Sequence, residues 1–346
     1  MKTLTQTLNT VGKATEVYES PDGSKVLILP YGGRILGLFT PQTTRNFFWT
    51  HSALAAADSA RAFYAGNEWH NSGGDRTWLA PEADVFFPNF PKLDKYFQPR
   101  QLDPGNYRFE LTVEGPQLVN ELRLTLTRSK REVDLRMTKA IRPALNPLRY
   151  EKLSINVEYA GYTLLTSLEL LGASVNCPDR VGLWNLLQLP HGGDMWIPTY
   201  SKAAPNIIMG SVQPDDLSVD EQIIRYRMRS PGEDKIGIRA VATAGRVGYL
   251  YAAGEQSALV IRNFYVNPSG EYVDVPWNNI ADFGYSTQAC NVKSHQGPFS
   301  ELEYHSPAIG SGTGRSRCTD ESQIWAFRGP SQQIQLIART LLSPAI

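Results

Sequence analysis

Glu121-Leu122-Arg123-Leu124-Thr125-Leu126, a charged break at Arg128-Ser129-Lys130-Arg131, and then Val133-Asp134-Leu135-Arg136-Met137 decide the fold. Apolar residues alternate with polar ones on both sides of the break. A period of two sends successive side chains to opposite faces of a strand, one buried and one wet. Two such runs around a short polar segment predict an antiparallel hairpin. Working outward, Tyr107, Phe109, Leu111 and Val113 alternate in the same way. Further strand-like runs rich in Val, Ile, Tyr and Phe lie at 25–29, 236–241, 247–251, 258–266 and 334–341. The 28 glycines and 23 prolines are spread along the chain, as many turns between short strands require. One helix is predicted, the alanine-rich 52–63. With no strand–helix alternation, a doubly wound parallel sheet gives way to an all-β fold.

The 346 residues suit one large β-domain spanning 1–346. The Pro- and aromatic-rich segment 88–106 reads as a long loop over a sheet rim, a frequent place for function. Lys+Arg and Asp+Glu are 34 each, a balance that gives no reason to expect nucleic-acid binding, and a neutral or weakly charged partner is expected. Cys177, Cys290 and Cys318 are odd in number and widely spaced, which fits neither a disulfide framework nor a zinc motif. No apolar run is long enough for a membrane span. The polar start, Met1 to Glu19, has no apolar core of a signal peptide, which fits a cytoplasmic protein. An exported chain trimmed of such a segment would read the same.

Two constellations carry chemistry. The first is Trp69-His70-Asn71-Ser72-Gly73-Gly74-Asp75-Arg76-Thr77-Trp78-Leu79-Ala80-Pro81-Glu82. Its tryptophans can cover the C–H faces of a sugar, while its carboxylates and guanidinium bind hydroxyl edges. The bland alternative is a polar turn with a surface Asp75–Arg76 pair and two core tryptophans. The second is Glu301-Leu302-Glu303-Tyr304-His305. On a strand, Glu301, Glu303 and His305 share a face. In a cleft they would supply acid–base chemistry; on an open face they would be a solvated charge row. A metal site from His70, Glu301, Glu303 and His305 is the weaker reading, because no ligand spacing recommends it. His191, in the turn-like Pro190-His191-Gly192-Gly193, reads as structural, and His51 and His295 lack supporting neighbours.

These segments resemble the galactose mutarotase (aldose 1-epimerase) superfamily. Ser72-Gly73-Gly74 stands where mutarotases carry His-Gly-Gly, and residues 73–82 are similar to a Gly-Gly-x-Arg-x-Trp-x-x-Pro-Glu pattern of a bacterial branch. Tyr31-Gly32-Gly33-Arg34-Ile35-Leu36 resembles the opening strand, and Asp320 to Trp325 a late turn and strand. Leu302-Glu303-Tyr304-His305-Ser306-Pro307 is similar to the stretch holding the catalytic glutamate. The resemblance implies a β-supersandwich of large antiparallel sheets with the sugar on a concave face. It implies Glu303 as catalytic base; His70, beside the first constellation, is the expected substitute acid and His305 its rival. It places Asp75, Arg76, Trp69, Trp78, Glu82, Glu301 and Arg34 around the substrate.

The chain departs from the family at the mid-chain histidine. By order along the chain Trp184, in Gly182-Leu183-Trp184-Asn185-Leu186, takes its place, and an indole is no proton donor of useful rate. Three functions therefore stand as expectations. One is aldose 1-epimerase-like interconversion of anomers without cofactor or metal. Another is sugar binding without catalysis. The third is a glycosidase or lyase, with Glu303 and Asp75 or Glu82 as paired carboxylates. A mono- or oligosaccharide is the expected partner, and a monomer or weak homodimer the expected state.

Overall fold

The quoted hairpin forms as read. Strands Gly115–Thr125 and Glu132–Pro143 pair antiparallel, with Leu122 opposite Leu135 and Leu124 opposite Val133. Lys130 turns the corner in the left-handed region at φ +58°. The structure, a computed structural model, describes residues 1–346 except 154, 155, 278 and 280. Its strands form a nine-stranded and a ten-stranded sheet, and every described pairing between strands is antiparallel. The all-β sandwich of large antiparallel sheets is therefore the architecture observed.

One face of each sheet meets the other. Ile28, Ile35, Leu187, Leu302 and Tyr304 of the nine-stranded sheet join one buried core with Tyr162, Leu164, Ile197, Val260 and Ile324 of the ten-stranded sheet. Each large side chain so buried contributes about 1.5–3 kcal/mol. Alternation then fixes the opposite faces. Five strands lie side by side in the nine-stranded sheet: Asp75–Ala80, Gly182–Pro190, Gly297–His305, Tyr285–Ser294 and Gly232–Arg239.

Two expectations change. Residues 334–341 are not a strand but part of helix Ser331–Leu341. Ile334, Ile337 and Ala338 are its buried residues and pack on Leu259, Ile261 and Phe327. Spacings of three and four residues, not two, bury those side chains. Leu111 and Val113 are exposed, because strand Arg108–Thr112 forms an edge of the ten-stranded sheet. The predicted helix at 52–63 appears as a 3-10 turn, Ser52–Ala55, and an α-helix, Ala57–Ala65. Helix Lys2–Thr10 is an addition to the predicted elements. No described helix is long and apolar enough to cross a membrane. Segment 88–106 contains neither helix nor strand, as read.

Candidate functional site

Register across the nine-stranded sheet assembles the site from residues far apart in sequence. Trp78 lies opposite Trp184, which lies opposite His305. In the next row Arg76, Leu186, Glu303 and Gln288 follow one another. In the row beyond, Gln188, Glu301, Cys290 and Lys235 do the same. All of these project from the face turned away from the ten-stranded sheet, since Leu302 and Tyr304 occupy the inter-sheet core. Gly73 and Gly74 make the turn into the first strand at φ +98° and +76°. A Cβ on either would lie 2.3 Å from a backbone carbonyl, of Trp49 or of Ile35, so only glycine fits.

Over these rows lies a pocket of about 370 Å³. Small-molecule sites commonly span about 300–1,000 Å³. Its walls include Trp69, Trp78, Trp184, Tyr96 and Trp277, and its polar groups include Arg76, Glu82, Lys235, Cys290 and Glu301. A larger hollow of about 680 Å³ lies by Asp84, Arg128 and Asp282. Its main charges are already matched, Asp84 by Arg128 and Asp282 by Arg239, which leaves little to recognise a ligand.

Ion pairs organise the smaller pocket. Arg76 Nη2 lies 2.8 Å from Glu301 Oε1, and its guanidinium sits 4.1 Å from the Trp78 ring centroid. Lys235 Nζ lies 3.2 Å from Glu303 and 3.4 Å from Glu82. Trp184 Nε1 donates to Glu303 Oε2 at 2.7 Å, and Tyr96 Oη donates to Glu82 at 3.0 Å. Glu303 is fully buried beneath Lys235 and Trp184. Burial pushes its carboxyl up to about 7; Glu301 and Glu82 add to the rise, and Lys235 opposes it. Burial alone would lower the Lys235 ammonium, but Glu303, Glu82 and Asp274 outweigh it and hold it charged. Replacing Trp184 with Phe keeps a ring in place and removes the donor to Glu303. Trp184→Phe is expected to cost about 1–2 kcal/mol, read as a lower midpoint in urea melts.

The sequence-derived residues divide by face. Arg76, Trp69, Trp78, Glu82 and Glu301 line the pocket, with Glu303 directly under its floor. Asp75 does not belong to it. As Arg76's neighbour on a strand it points the other way, between the sheets, bonded to Arg262 and Tyr162. The pairing of Asp75 with Glu303 as two glycosidase carboxylates is thereby removed. Arg34 lies outside the pocket lining and is fully buried. It holds the Gly73 carbonyl at 3.0 Å and Asp103 at 2.8 Å, and Asp103 accepts from Trp78 Nε1. It braces the turn and the tryptophan rather than touching a ligand.

His70 also misses the pocket. It sits among Tyr31, Phe63 and Tyr64, with Nδ1 2.7 Å from the Tyr31 hydroxyl. His305 is buried with its ring stacked on Trp184, 4.0 Å from Asp274. Burial pulls its pKa down to about 4, so it is neutral at pH 7. Neither histidine offers a proton to the pocket. Lys235, Tyr96, Trp277, Leu93 and Cys290 are among the lining residues that sequence reasoning missed.

A family profile described as a family of unknown function (DUF6786) matches residues 2–346. The chain belongs to that family. No curated protein matches it. Among solved structures it is similar to a galactose mutarotase-related enzyme from Lactobacillus acidophilus, with a TM-score of 0.48 and 8% identity over 92% of this chain and 98% of that one. It is also similar to galactose 1-epimerase from Lactobacillus acidophilus NCFM, with a TM-score of 0.43 and 8% identity over 92% and 94%. A GalM/aldose epimerase homologue from C. elegans gives 0.39 and 8% over 92% and 100%.

Within this DUF6786 chain a metal could look for ligands at Cys290, Glu301 and Glu303, whose donor atoms lie within 4.8 Å of one another. Arg76 and Lys235 already pair both carboxylates, and burial keeps the Cys290 thiol protonated. The set of His70, Glu301, Glu303 and His305 does not come together, because His70 is engaged by Tyr31 outside the pocket lining.

Proposed function

We propose that this chain binds a mono- or oligosaccharide in the pocket above Lys235 and Trp184. The observation that carries this reading is the composition of the walls. Four indoles, Trp69, Trp78, Trp184 and Trp277, surround two ion pairs, Arg76–Glu301 and Lys235–Glu82. Aromatic faces suit the C–H faces of a sugar ring, and mixed donors and acceptors suit its hydroxyls. Among the described residues, the buried Trp69 Nε1 and Arg76 Nε and Nη1 have no hydrogen-bond partner.

Calorimetric titration against a panel of neutral sugars tests the reading; absence of binding to any of them sinks it. Trp69→Ala is expected to weaken a sugar that binds by about ten-fold, through lost stacking worth about 1.5 kcal/mol.

A second reading, aldose 1-epimerase-like interconversion of anomers, is favoured by the Glu303–Lys235 pair. Ring opening takes the proton from the anomeric hydroxyl, breaks the bond from C1 to the ring oxygen, and gives that oxygen a proton. Both oxygens are bonded to C1, so base and acid must stand side by side, as Glu303 and Lys235 do at 3.2 Å. In this reading Glu303 is the base and Lys235 takes the part expected of His70. Lys235 swings on its flexible stem to admit the substrate to the carboxylate. Closure on the other face of C1 reverses both transfers. Polarimetry over a panel of aldoses checks it: sugar binding with no acceleration of mutarotation leaves binding alone.

A further inference from the structure

We propose that the ligand is a saccharide chain rather than a free sugar, with one end seated in the pocket and the next unit lying on its rim. This rests on the pocket being a carbohydrate site and names the class of carbohydrate.

Residues 91–97 form one exposed run. It carries Leu93, Tyr96 and Phe97, 45%, 40% and 45% exposed, among Lys92, Asp94 and Lys95. Apolar side chains displayed together and edged by charge mark a binding surface. Leu93 and Tyr96 also line the pocket, so this surface is the pocket wall carried outward.

The rim is built, not loose. Tyr96 stacks on Phe86 at 5.5 Å between centroids and is pinned by its hydrogen bond to Glu82. Phe87 stands edge-on to Tyr96 at 5.1 Å and to Trp277 at 5.0 Å. Trp277 is half-buried and lines the pocket too. A line of aromatic rings thus runs from Trp78 through Phe86 and Tyr96 to Trp277 at the mouth. Rings held in place before binding lose little conformational freedom when a sugar settles on them.

A pocket of about 370 Å³ is at the small end for ligand sites, so the further units of such a saccharide chain lie over the rim. Lys92, Asp94 and Lys95 supply donors and acceptors there. A second protein copy is a poorer occupant: the run is seven residues long, against roughly 20–30 residues a side in a stable interface.

The test is calorimetry on the full chain with glucose and galactose and with α-1,4- and β-1,4-linked oligomers of each, from two to six units. Affinity is expected to rise about ten-fold from one unit to two or three and then level off. Leu93→Ala and Trp277→Ala are expected to shrink that gain to about two-fold or less. Thermal melts confirm that both variants are folded.

Equal affinity at every length overturns the proposal and leaves the pocket reading standing. So does a loss in the two variants that is the same for one unit as for six. If no saccharide of any length binds, the pocket reading falls and this inference with it. A concentration-dependent dimer in light scattering that Leu93→Ala dissolves assigns the rim to self-association and also overturns the proposal.

Discussion

Asp75→Ala is expected to cost the fold about 3–5 kcal/mol while leaving sugar affinity intact in the molecules that fold. The Asp75 carboxylate is sealed between the sheets. It takes both Nη atoms of Arg262 at 3.2 Å and the Tyr162 hydroxyl at 2.7 Å. Arg262 comes from the ten-stranded sheet, so the pair ties one sheet to the other. Removing the carboxylate leaves a fully buried guanidinium without its counter-charge. Beside it the structure offers Ser322 Oγ at 3.4 Å and the face of Tyr304, neither of which carries charge. An uncompensated buried charge costs far more than the attraction of an intact pair gains. The double change Asp75→Leu with Arg262→Met is therefore expected to recover most of the loss. Urea unfolding followed by tryptophan fluorescence reads both effects as shifts of midpoint at constant slope. A loss below about 1 kcal/mol in Asp75→Ala, the level of an exposed pair, would mean the guanidinium finds water, contrary to the burial seen here.

The same residue shows what a sequence can and cannot tell. Strand alternation correctly groups Glu301, Glu303 and His305 on one face, because a period of two needs no knowledge of neighbours. That rule also separates Asp75 from Arg76, and Trp69 from His70 wherever the chain is extended. Collecting all four around one sugar follows their closeness in sequence and not their direction in space. Lys235 was beyond reach for another reason. It meets Glu303 only through the register of strands Gly232–Arg239, Tyr285–Ser294 and Gly297–His305. Nothing local in Gly232 to Arg239 distinguishes a buried lysine from a solvated one. Tyr96 lies on a loop without regular structure, where periodicity carries no information. Residues 334–341 of helix Ser331–Leu341 resemble a strand in sequence because Ile334-Gln335-Leu336 starts like one, and only Ile337-Ala338 reveals the longer period.

On the epimerase reading proposed above, Glu303→Gln is expected to lower interconversion of anomers by a factor of about 100 to 10,000, while sugar affinity stays unchanged. The amide keeps an oxygen to accept from Trp184 Nε1, and Lys235 keeps Glu82, so the fold has no reason to open. What disappears is the only property the base needs, a carboxylate able to take a proton near neutrality. The variant carries a second signature in stability. The folded Glu303 carboxyl titrates at about 7 against 4.5 when unperturbed, so between these values the native state holds a proton the unfolded chain has released. Stability from this group is complete below pH 4.5 and falls as pH rises through about 7, by an amount on the order of 3 kcal/mol. His305 has the opposite sign. Its pKa is lowered from 6.5 to about 4, so its contribution is lost as pH falls between those values. The two slopes oppose each other in the wild type. With glutamine at 303 only the histidine slope remains of this pair, and stability should climb from pH 4 to 6.5 more steeply than in the wild type. Urea melts across that range, beside polarimetry and calorimetry on the same preparation, separate the outcomes. Wild-type interconversion in Glu303→Gln would remove the carboxylate from the chemistry. An unchanged pH slope with lost turnover would mean that Glu303 acts without the raised proton affinity its burial confers.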